Sequence, residues 1–171
     1  MHIIFFNTKG GVSKSTLCEF SMMELKRLGY NVQVQNTDQQ EHVTLMDSDN
    51  ADYYLYDTAG SFTVANVELL NAAAGANAII IIPMNTGVND LKEVAFVVEQ
   101  LEKFNVKDKA RFVFTKTRPN SKLLREKKET LQGYGLNVLK WTMPHLEDFG
   151  EQRQTSRTRR EISAFLHEVI L

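Results

Sequence analysis

The run Lys9-Gly10-Gly11-Val12-Ser13-Lys14-Ser15-Thr16 constrains the fold more than any other part of the chain. It follows an apolar segment at 2–6 that is typical of a buried strand, and it precedes a helical pattern at 15–28. A glycine-rich turn between a strand and a helix lets backbone N–H groups and the positive helix end surround a phosphate chain. Lys14 would then bring positive charge to the β- and γ-phosphates, and the Ser15 hydroxyl would ligate Mg²⁺.

Strand-like and helix-like patterns alternate along the rest of the chain. Apolar runs predict strands at 32–34, 53–56, 78–82, 111–115 and 136–141, and amphipathic patterns predict helices at 61–74, 90–104 and 121–132 and near the end. This alternation predicts an α/β fold with a mostly parallel sheet flanked by helices. The length of 171 residues fits one domain that spans Met1–Leu171.

Local patterns also predict where helices begin and end. Asp90, followed three residues later by Glu93, has the spacing of a capping box. Gly29 and Gly133 stand where glycines terminate helices. An apolar stripe near the end of the chain predicts a helix that docks on the core; its members are Ile162, Phe165, Leu166, Val169 and Ile170.

Cysteine content and hydropathy exclude several classes of protein. Cys18 is the only cysteine, so the chain has neither an internal disulfide nor a cysteine-rich metal cage. No apolar run approaches the roughly 18 residues of a membrane span, and the first residues do not resemble a signal peptide. We therefore expect a cytoplasmic protein.

The net charge of −1 hides an uneven distribution. Residues 1–102 hold 5 basic and 13 acidic side chains, whereas residues 103–171 hold 15 basic and 8 acidic ones. Such a basic half is suited to contact with DNA phosphates, although a solvated surface has the same composition.

Residues 9–16 match the deviant Walker A motif, KGGxxK[ST], of the ParA/MinD ATPases, and the chain resembles that family. Residues 36–40 are similar to the family's D-x-D-P-Q segment, and residues 57–60 are similar to its D-x-x-G segment. Ile82-Pro83 followed by Asp90 resembles its next strand and helix start. The resemblance is strongest to small ParA-type partition ATPases that have no N-terminal helix-turn-helix, and it implies a P-loop NTPase fold.

The resemblance implies a role for each matching residue. Lys9 would reach across an ATP-sandwiched dimer, and Asp38 would orient the attacking water. Asp57 would support Mg²⁺ from outside its ligand shell, and Gly60 would sense the γ-phosphate. Adenine contact is expected from Pro144. The remaining nucleotide contacts would come from the loop itself: Lys9, Gly10, Gly11, Val12, Ser13, Lys14, Ser15 and Thr16.

Three departures from the family pattern bear on these roles. Asn36 replaces an acidic residue and Gln39 replaces a proline, so Mg²⁺ support and the geometry near Asp38 are expected to be weaker. Ser13 adds a side chain where glycine is common. Only 18 residues separate Asp38 from Asp57, enough for a loop or a single helical turn at 42–52.

The implied function is a partition ATPase with a weak intrinsic rate. It would bind ATP or ADP with Mg²⁺, form an ATP-dependent homodimer and bind nucleoid DNA non-specifically, and it would act with a ParB-like or cargo adaptor protein. DNA contact is expected from Arg153, Arg157, Arg159 and Arg160.

Three alternatives remain open. A MinD-like membrane-cycling switch would need a basic amphipathic tail, which the last residues lack, so we expect no stable membrane association. A nucleotide-binding regulatory module would have lost most hydrolysis. The third alternative is a metabolic enzyme of the superfamily that reduces or phosphorylates small molecules. Among these, an iron–sulfur reductase would need more cysteines than Cys18.

Overall fold

The structure, a computed structural model, describes residues 1–38, 40–47, 50–118 and 120–171, with the exception of the Leu91 side chain. Its centre is a parallel sheet of five strands in the order β2-β3-β1-β4-β5. The strands are β1 (His2–Phe5), β2 (Val32–Asn36), β3 (Tyr53–Asp57), β4 (Ala78–Met84) and β5 (Ala110–Phe114). The predicted α/β fold with a parallel sheet is confirmed.

Helices cover both faces of the sheet. They are α1 (Lys14–Arg27), α2 (Val64–Gly75), α3 (Val88–Lys103), α4 (Lys122–Gly133), the short α5 (Glu147–Gly150) and α6 (Ser156–Val169), with a 3-10 turn at Lys107–Lys109. Buried side chains of α2, α3 and α4 form one core, and those of α1, α5 and α6 form the other. No helix in the described ranges is long and apolar enough to cross a bilayer.

The central strands are apolar on both faces because each face meets a core. In β4, Ile80 and Ile82 belong to the core with α2 and α3, whereas Ile81 belongs to the core with α1 and α6. Successive side chains of a strand point to opposite faces, so a strand covered on both sides reads as a continuous apolar run. This is why the sequence pattern located these strands well.

The predicted strand at 136–141 is wrong. Its backbone runs beside β5 and makes an isolated parallel bridge from Val138 to Phe112. The N–H groups of Lys140 and Trp141 then donate to the Glu168 carboxylate of α6, at 2.6 and 2.7 Å. The N–H of Leu139 still donates to the Phe112 carbonyl at 2.9 Å. The N–H of Trp141, the next one on that side, is bound to Glu168 instead, so the ladder with β5 is interrupted.

Helix ends were predicted with mixed success. Gly29 follows the C-cap of α1 with φ 96°, as expected of a terminating glycine. Gly133 still lies inside α4, and Gly135 (φ 73°) takes the terminating position. The capping box at Asp90 and Glu93 is also wrong, because α3 begins at Val88 and both carboxylates bind the turn after β1 instead.

The short excursion between β2 and β3 contains no helix or strand within 40–47 and 50–52. Val43 is buried against the α2 face, and its N–H donates to Glu68 at 2.7 Å. Further along, the N–H of Met46 donates to the Tyr56 hydroxyl at 2.7 Å. Gln39 lies outside the described residues. The prediction that this residue, in place of a proline, weakens the geometry near Asp38 therefore stays a prediction.

Candidate functional site

The turn between β1 and α1 forms an anion-binding cradle. Gly11 and Ser13 both adopt left-handed backbone angles, with φ 73° and 69°. Ser13 is the N-cap of α1 but its side chain makes no capping bond, and the first helical turn holds no acidic residue. Backbone N–H groups and the positive end of the α1 dipole are therefore left for an external anion.

This cradle opens into a cavity of about 320 Å³ at the carboxyl end of the sheet. One part of the wall comes from the cradle, and another comes from the chain after β5 and around α5. Ligands of open parallel sheets bind at this edge. The lining residues are Gly11, Ser13, Lys14, Ser15, Thr16, Lys116, Met143, Pro144, His145, Leu146, Phe149 and Gly150.

Lys14 lies inside the cradle. Only 6% of the residue is exposed, and its Nζ donates to the Lys9 carbonyl at 3.0 Å. Burial lowers the pKa of Lys14, while the charges of Asp57 and Asp38 oppose that shift. A partly desolvated ammonium with few fixed partners is suited to bind phosphate oxygens.

Lys9 lies on the outer side of the same turn and does not line the cavity. Its Nζ forms an ion pair with Oδ2 of Asp90 at 2.7 Å, and 36% of its side chain is exposed. Next to it, the Thr8 hydroxyl donates to Glu93. Two adjacent residues of the turn are thus bound to the first two turns of α3.

Ser15 and Asp57 come together beneath the cradle. Burial raises the pKa of Asp57; a hydrogen bond from the Ser15 hydroxyl lowers it, the Asp38 charge raises it and Lys14 lowers it. Oδ1 of Asp57 is buried and accepts no hydrogen bond from the described residues. A hydroxyl beside a carboxylate with a free oxygen fits Mg²⁺ and one of its waters, since Mg²⁺ keeps several waters in phosphate sites.

Asp38 lies just beyond β2, exposed, and close enough to influence the pKa values of both Lys14 and Asp57. Its N–H donates to Oδ1 of Asn36 at 2.9 Å. The residue between them, Thr37, is buried and donates its N–H to the Asp57 carbonyl at 2.9 Å. Asn36 therefore shapes the turn that presents Asp38 to the site.

Gly60 passes very close to the cradle. A Cβ at this position would lie 3.1 Å from Cα of Gly10 and 3.8 Å from Nζ of Lys14. A side chain at this position would push the backbone of Gly10 by a few tenths of an ångström. The loop after β3 is therefore in a position to respond to whatever occupies the cradle.

The far end of the cavity contains the expected Pro144. It is buried, and it makes an isolated bridge with Thr117, which follows β5. Val12 is fully buried, and its carbonyl accepts a hydrogen bond from the Thr115 hydroxyl at 3.1 Å. The chain after β5 is thereby bound to both ends of the cavity.

The basic residues of the second half are divided between the two faces of the sheet. Arg157, Arg159 and Arg160 are exposed on α6, which packs on the face with α1. The basic residues of α4 lie on the other face, since Leu124 and Leu131 belong to the core with α2 and α3. Arg153 precedes α6 and is paired with Asp148, Nε to Oδ1, at 2.9 Å.

Sequence reasoning missed several side chains of the site. Asp90 was noted only as a helix start, although it binds Lys9. The contributions of Leu146 and Phe149 to the cavity were not anticipated. No local pattern marks these residues, because their roles depend on contacts between distant segments.

A central parallel sheet, a glycine-rich turn leading into α1, and a buried lysine in a cavity at the carboxyl edge define a P-loop nucleotide-binding domain. Residues 3–158 match the model of the CobQ/CobB/MinD/ParA nucleotide-binding domain, and the chain belongs to this family. The family membership expected from residues 9–16 is confirmed.

Solved structures agree on the fold. A putative plasmid partition protein from Borrelia burgdorferi, bound to AMPPNP, has a TM-score of 0.75 and 16% identity, covering 97% of this chain and 96% of its own. Cobyrinic acid a,c-diamide synthase from Mycobacterium smegmatis, with ADP and magnesium, has a TM-score of 0.70, 15% identity, and coverage of 97% and 94%. MinD from Aquifex aeolicus has a TM-score of 0.69, 15% identity, and coverage of 97% and 96%. A search of curated proteins finds no match.

Proposed function

We propose that residues 1–171 form one ParA-type ATPase domain that binds ATP with Mg²⁺, dimerises, and binds DNA non-specifically. With a ParB-like or cargo adaptor partner that stimulates hydrolysis, it positions a plasmid, a chromosome or another large cargo. The observation that carries this proposal is the separation of two lysines in one turn. Lys14 is buried in the cavity, whereas Lys9 is held on the outer side, where a second nucleotide site could receive it.

In this proposal, each residue of the site has its own role in phosphoryl transfer. Lys14 and the N–H groups at the start of α1 hold the phosphate chain and stabilise charge on its oxygens. Ser15 would hold Mg²⁺ and Asp57 would hold one of its waters, and the ion would neutralise charge on the β- and γ-phosphates. Asp38 orients the attacking water, Gly60 responds to the γ-phosphate, and Pro144 contacts adenine. The cradle contributes contacts from Lys9, Gly10, Gly11, Val12, Ser13, Lys14, Ser15 and Thr16.

ATP turnover tests the enzymatic part of this proposal. We expect slow hydrolysis by the wild type, stimulated by DNA and partner, and none by Lys14→Ala or Lys9→Ala. Lys122→Ala, an exposed substitution on α4, serves as the control and should retain the wild-type rate. Absence of turnover in the wild type with DNA and partner present would leave only the regulatory nucleotide-binding module.

The DNA part rests on the exposed arginines of α6. Retardation of duplex DNA at several salt concentrations should show tighter binding with ATP than with ADP or without nucleotide. Equal affinity in all three states would refute the switch. The substitutions Arg157→Ala, Arg159→Ala and Arg160→Ala together should reduce the salt slope by about 2.7, because each neutralised phosphate contributes about 0.9.

A matched control comes from a basic residue that already has a partner. Lys107 pairs with Glu102 at 2.7 Å on the 3-10 turn, so Lys107→Ala should leave the slope unchanged. Arg153 is paired with Asp148, and we expect a smaller contribution from it than from the three arginines of α6.

The apolar stripe of α6 packs against the core. Ile162, Phe165 and Leu166 are each 1% exposed and pack in the core with α1, so the apolar stripe of α6 is docked as expected. Glu168 holds α6 to the segment after α4 through two backbone N–H groups. The protein we propose is cytoplasmic and associated with the nucleoid when it binds DNA, without stable membrane association.

A further inference from the structure

The chain leaves the sheet at Asn7, between β1 and the phosphate cradle. Just before it, the N–H of Phe6 donates to the Ile81 carbonyl of β4 at 2.9 Å. Donors on one edge of a strand come from every second residue, so the next acceptor along β4 is the carbonyl of Pro83. Pro83 has no N–H to return to the neighbouring strand. The regular pairing of β1 with β4 therefore ends here, and the buried Pro83 carbonyl needs another donor.

The side chain of Asn7 supplies that donor. It is buried, with 4% of the residue exposed, and its Nδ2 donates to the Pro83 carbonyl at 2.7 Å. On the other side of the same amide, Oδ1 accepts the N–H of Lys9 at 3.0 Å. A bond to the N–H two residues on is the pattern of an Asx turn. One amide group thus joins the end of β4 to the backbone that begins the cradle.

The backbone of Lys9 in turn holds the buried lysine of the cradle. Its carbonyl accepts a hydrogen bond from Nζ of Lys14 at 3.0 Å. The two bonds of the Lys9 peptide groups therefore connect the Asn7 amide to the Lys14 ammonium. That ammonium is the group suited to bind phosphate oxygens, so the position of Asn7 bears directly on the phosphate site.

Two neighbouring contacts restrain the same segment through side chains. The Thr8 hydroxyl donates to Glu93, and Nζ of Lys9 pairs with Asp90. A side chain can leave such a partner while the backbone keeps its path. The bonds of Asn7 differ, because they determine where the first strand ends and where the cradle backbone begins.

We propose that Asn7 is a positioning residue for the phosphate site: its amide replaces the next rung between β1 and β4 and fixes the Lys9 backbone that orients Lys14. This inference rests on the proposed nucleotide binding and adds to it a residue outside the loop at 9–16. The role concerns the phosphate chain and not the base. The rival role is purely structural, in which Asn7 contributes only to the stability of the fold.

The test compares ADP with pyrophosphate, which carries the same phosphate linkage without a base. Dissociation constants with Mg²⁺ are measured by calorimetry on the full chain for the wild type, Asn7→Ala and Asn7→Ser. Alanine removes both hydrogen bonds of the amide. Serine is too short to reach the Pro83 carbonyl, but its hydroxyl can accept the N–H two residues on, as in an ST turn.

A matched control removes a buried hydrogen bond far from the cavity. Thr158 of α6 is 0% exposed, and its hydroxyl donates to the Arg153 carbonyl at 3.2 Å. It does not line the cavity. Thr158→Ala should therefore lower the melting temperature without changing the affinity for either ligand.

We expect Asn7→Ala to weaken the binding of pyrophosphate and ADP alike by about five- to tenfold, the upper part of the range for one hydrogen bond. The physical reason is that the carbonyl that orients Lys14 is no longer fixed. Asn7→Ser should recover most of the affinity for both ligands, since it keeps an acceptor for the Lys9 N–H.

Hydrogen exchange at the Lys9 amide tests the contact in the wild type, and it decides the matter even if Asn7→Ala does not fold. The Lys9 N–H should be protected before any ligand is added, because Oδ1 of Asn7 already accepts it. A Lys9 amide that exchanges freely until pyrophosphate is added would overturn the proposal.

Unchanged pyrophosphate binding by a folded Asn7→Ala would also overturn it. So would a serine variant as weak as the alanine variant, a loss for ADP alone, or an equal loss of affinity in Thr158→Ala. If the wild type binds neither ADP nor pyrophosphate, the proposed function itself fails. If the wild type binds both and Asn7→Ala binds them equally well, only the role of Asn7 fails.

Discussion

Lys9 and Asp90 form an ion pair, with Nζ 2.7 Å from Oδ2, across 81 positions of sequence. The contact joins the turn that cradles phosphate to the first turn of α3. Asp90 is 5% exposed and also accepts the N–H of Asn85 at 3.2 Å, so its carboxylate is fixed from two sides. In the proposed dimer, Lys9 would have to leave Asp90 to reach the second subunit.

Breaking the pair should therefore favour the dimer. We expect Asp90→Asn, which keeps an acceptor for the Asn85 N–H, to lower the concentration for half-maximal ATP-dependent dimerisation by about two- to fivefold, the value of a partly exposed ion pair. Lys9→Ala should abolish dimerisation. Sedimentation with ATP measures both, and Glu99→Gln, exposed elsewhere on α3, is the control. Weaker dimerisation by Asp90→Asn would contradict a restraining role.

A side chain at Gly60 should displace the phosphate cradle. A Cβ there would lie 3.1 Å from Cα and 3.3 Å from N of Gly10, both of which are backbone atoms that cannot rotate away. We expect Gly60→Ala to destabilise the fold by about 1–3 kcal/mol and to weaken ADP binding by displacing the cradle. Urea unfolding and calorimetry measure these effects.

Gly75 provides the matched control for that substitution. It ends α2, and a Cβ at this position meets nothing within 4 Å. Gly75→Ala should leave both stability and ADP binding close to wild type. Equal effects of the two substitutions would show that the contact between Gly60 and Gly10 is unimportant.

Replacing Ser13 with glycine should stabilise the fold. Its φ of 69° is left-handed, which costs a non-glycine residue roughly 1–2 kcal/mol, and its side chain makes no capping bond. After the entropy that glycine adds to the unfolded chain, Ser13→Gly should stabilise the fold by about 0.5 kcal/mol. ADP binding should persist.

The same chemical change within a helix should have the opposite sign. Ser163 lies inside α6, so Ser163→Gly should destabilise by about 0.5 kcal/mol. Urea unfolding of both variants gives the comparison. Loss of stability by Ser13→Gly would mean that the Ser13 side chain stabilises the turn in another way.

Protonation of His2 should lower the free energy of unfolding as the pH falls below about 6.5. Burial lowers the pKa of His2 from 6.5, assisted by the N-terminal charge and opposed by Asp47. Burial also raises the pKa of Tyr56 to about 12, so its hydroxyl stays protonated, and it is hydrogen-bonded to Nδ1 of His2 at 3.0 Å. Because the unfolded chain binds the proton more tightly, stability is full above 6.5 and is lost as the pH falls through the lowered pKa.

Melting temperatures between pH 7.5 and 5.5 test this dependence. His2→Asn keeps an acceptor for the Tyr56 hydroxyl but does not titrate, so its melting temperature should vary less than that of the wild type. His167→Asn, an exposed substitution on α6, should keep the wild-type slope. An unchanged slope in His2→Asn would assign the dependence to other groups.

Much of the sheet was predictable because four of its strands, β1, β3, β4 and β5, are short and mostly buried on both faces. The prediction of a strand at 136–141 was wrong for a tertiary reason, since Glu168 accepts the Trp141 N–H that a strand would have paired with β5. The prediction that Gly133 terminates α4 was wrong because sequence alone does not show which of two nearby glycines adopts a left-handed conformation. Periodicity locates an element, whereas distant partners decide where it ends.

The phosphate cradle was predictable because all its parts are contiguous in sequence. The environment of each charged group could not be predicted from the sequence. Asp57 was expected as a supporting carboxylate, but its buried Oδ1, which accepts no hydrogen bond from the described residues, results from burial of the end of β3 beside Ser15. Likewise, the sequence shows where the arginines lie along the chain, but it does not show that Arg153 pairs with Asp148.

The sequence by itself determined the family, the parallel α/β fold and the phosphate-binding turn, because each follows from local residue order or from burial on both faces of a strand. Only the tertiary structure decided that Lys9 binds Asp90, that Lys116 reaches Gly11, and that the basic residues of α4 and α6 lie on opposite faces. These relationships join segments far apart in the chain. They arise from the order in which strands enter the sheet, and no local pattern records that order.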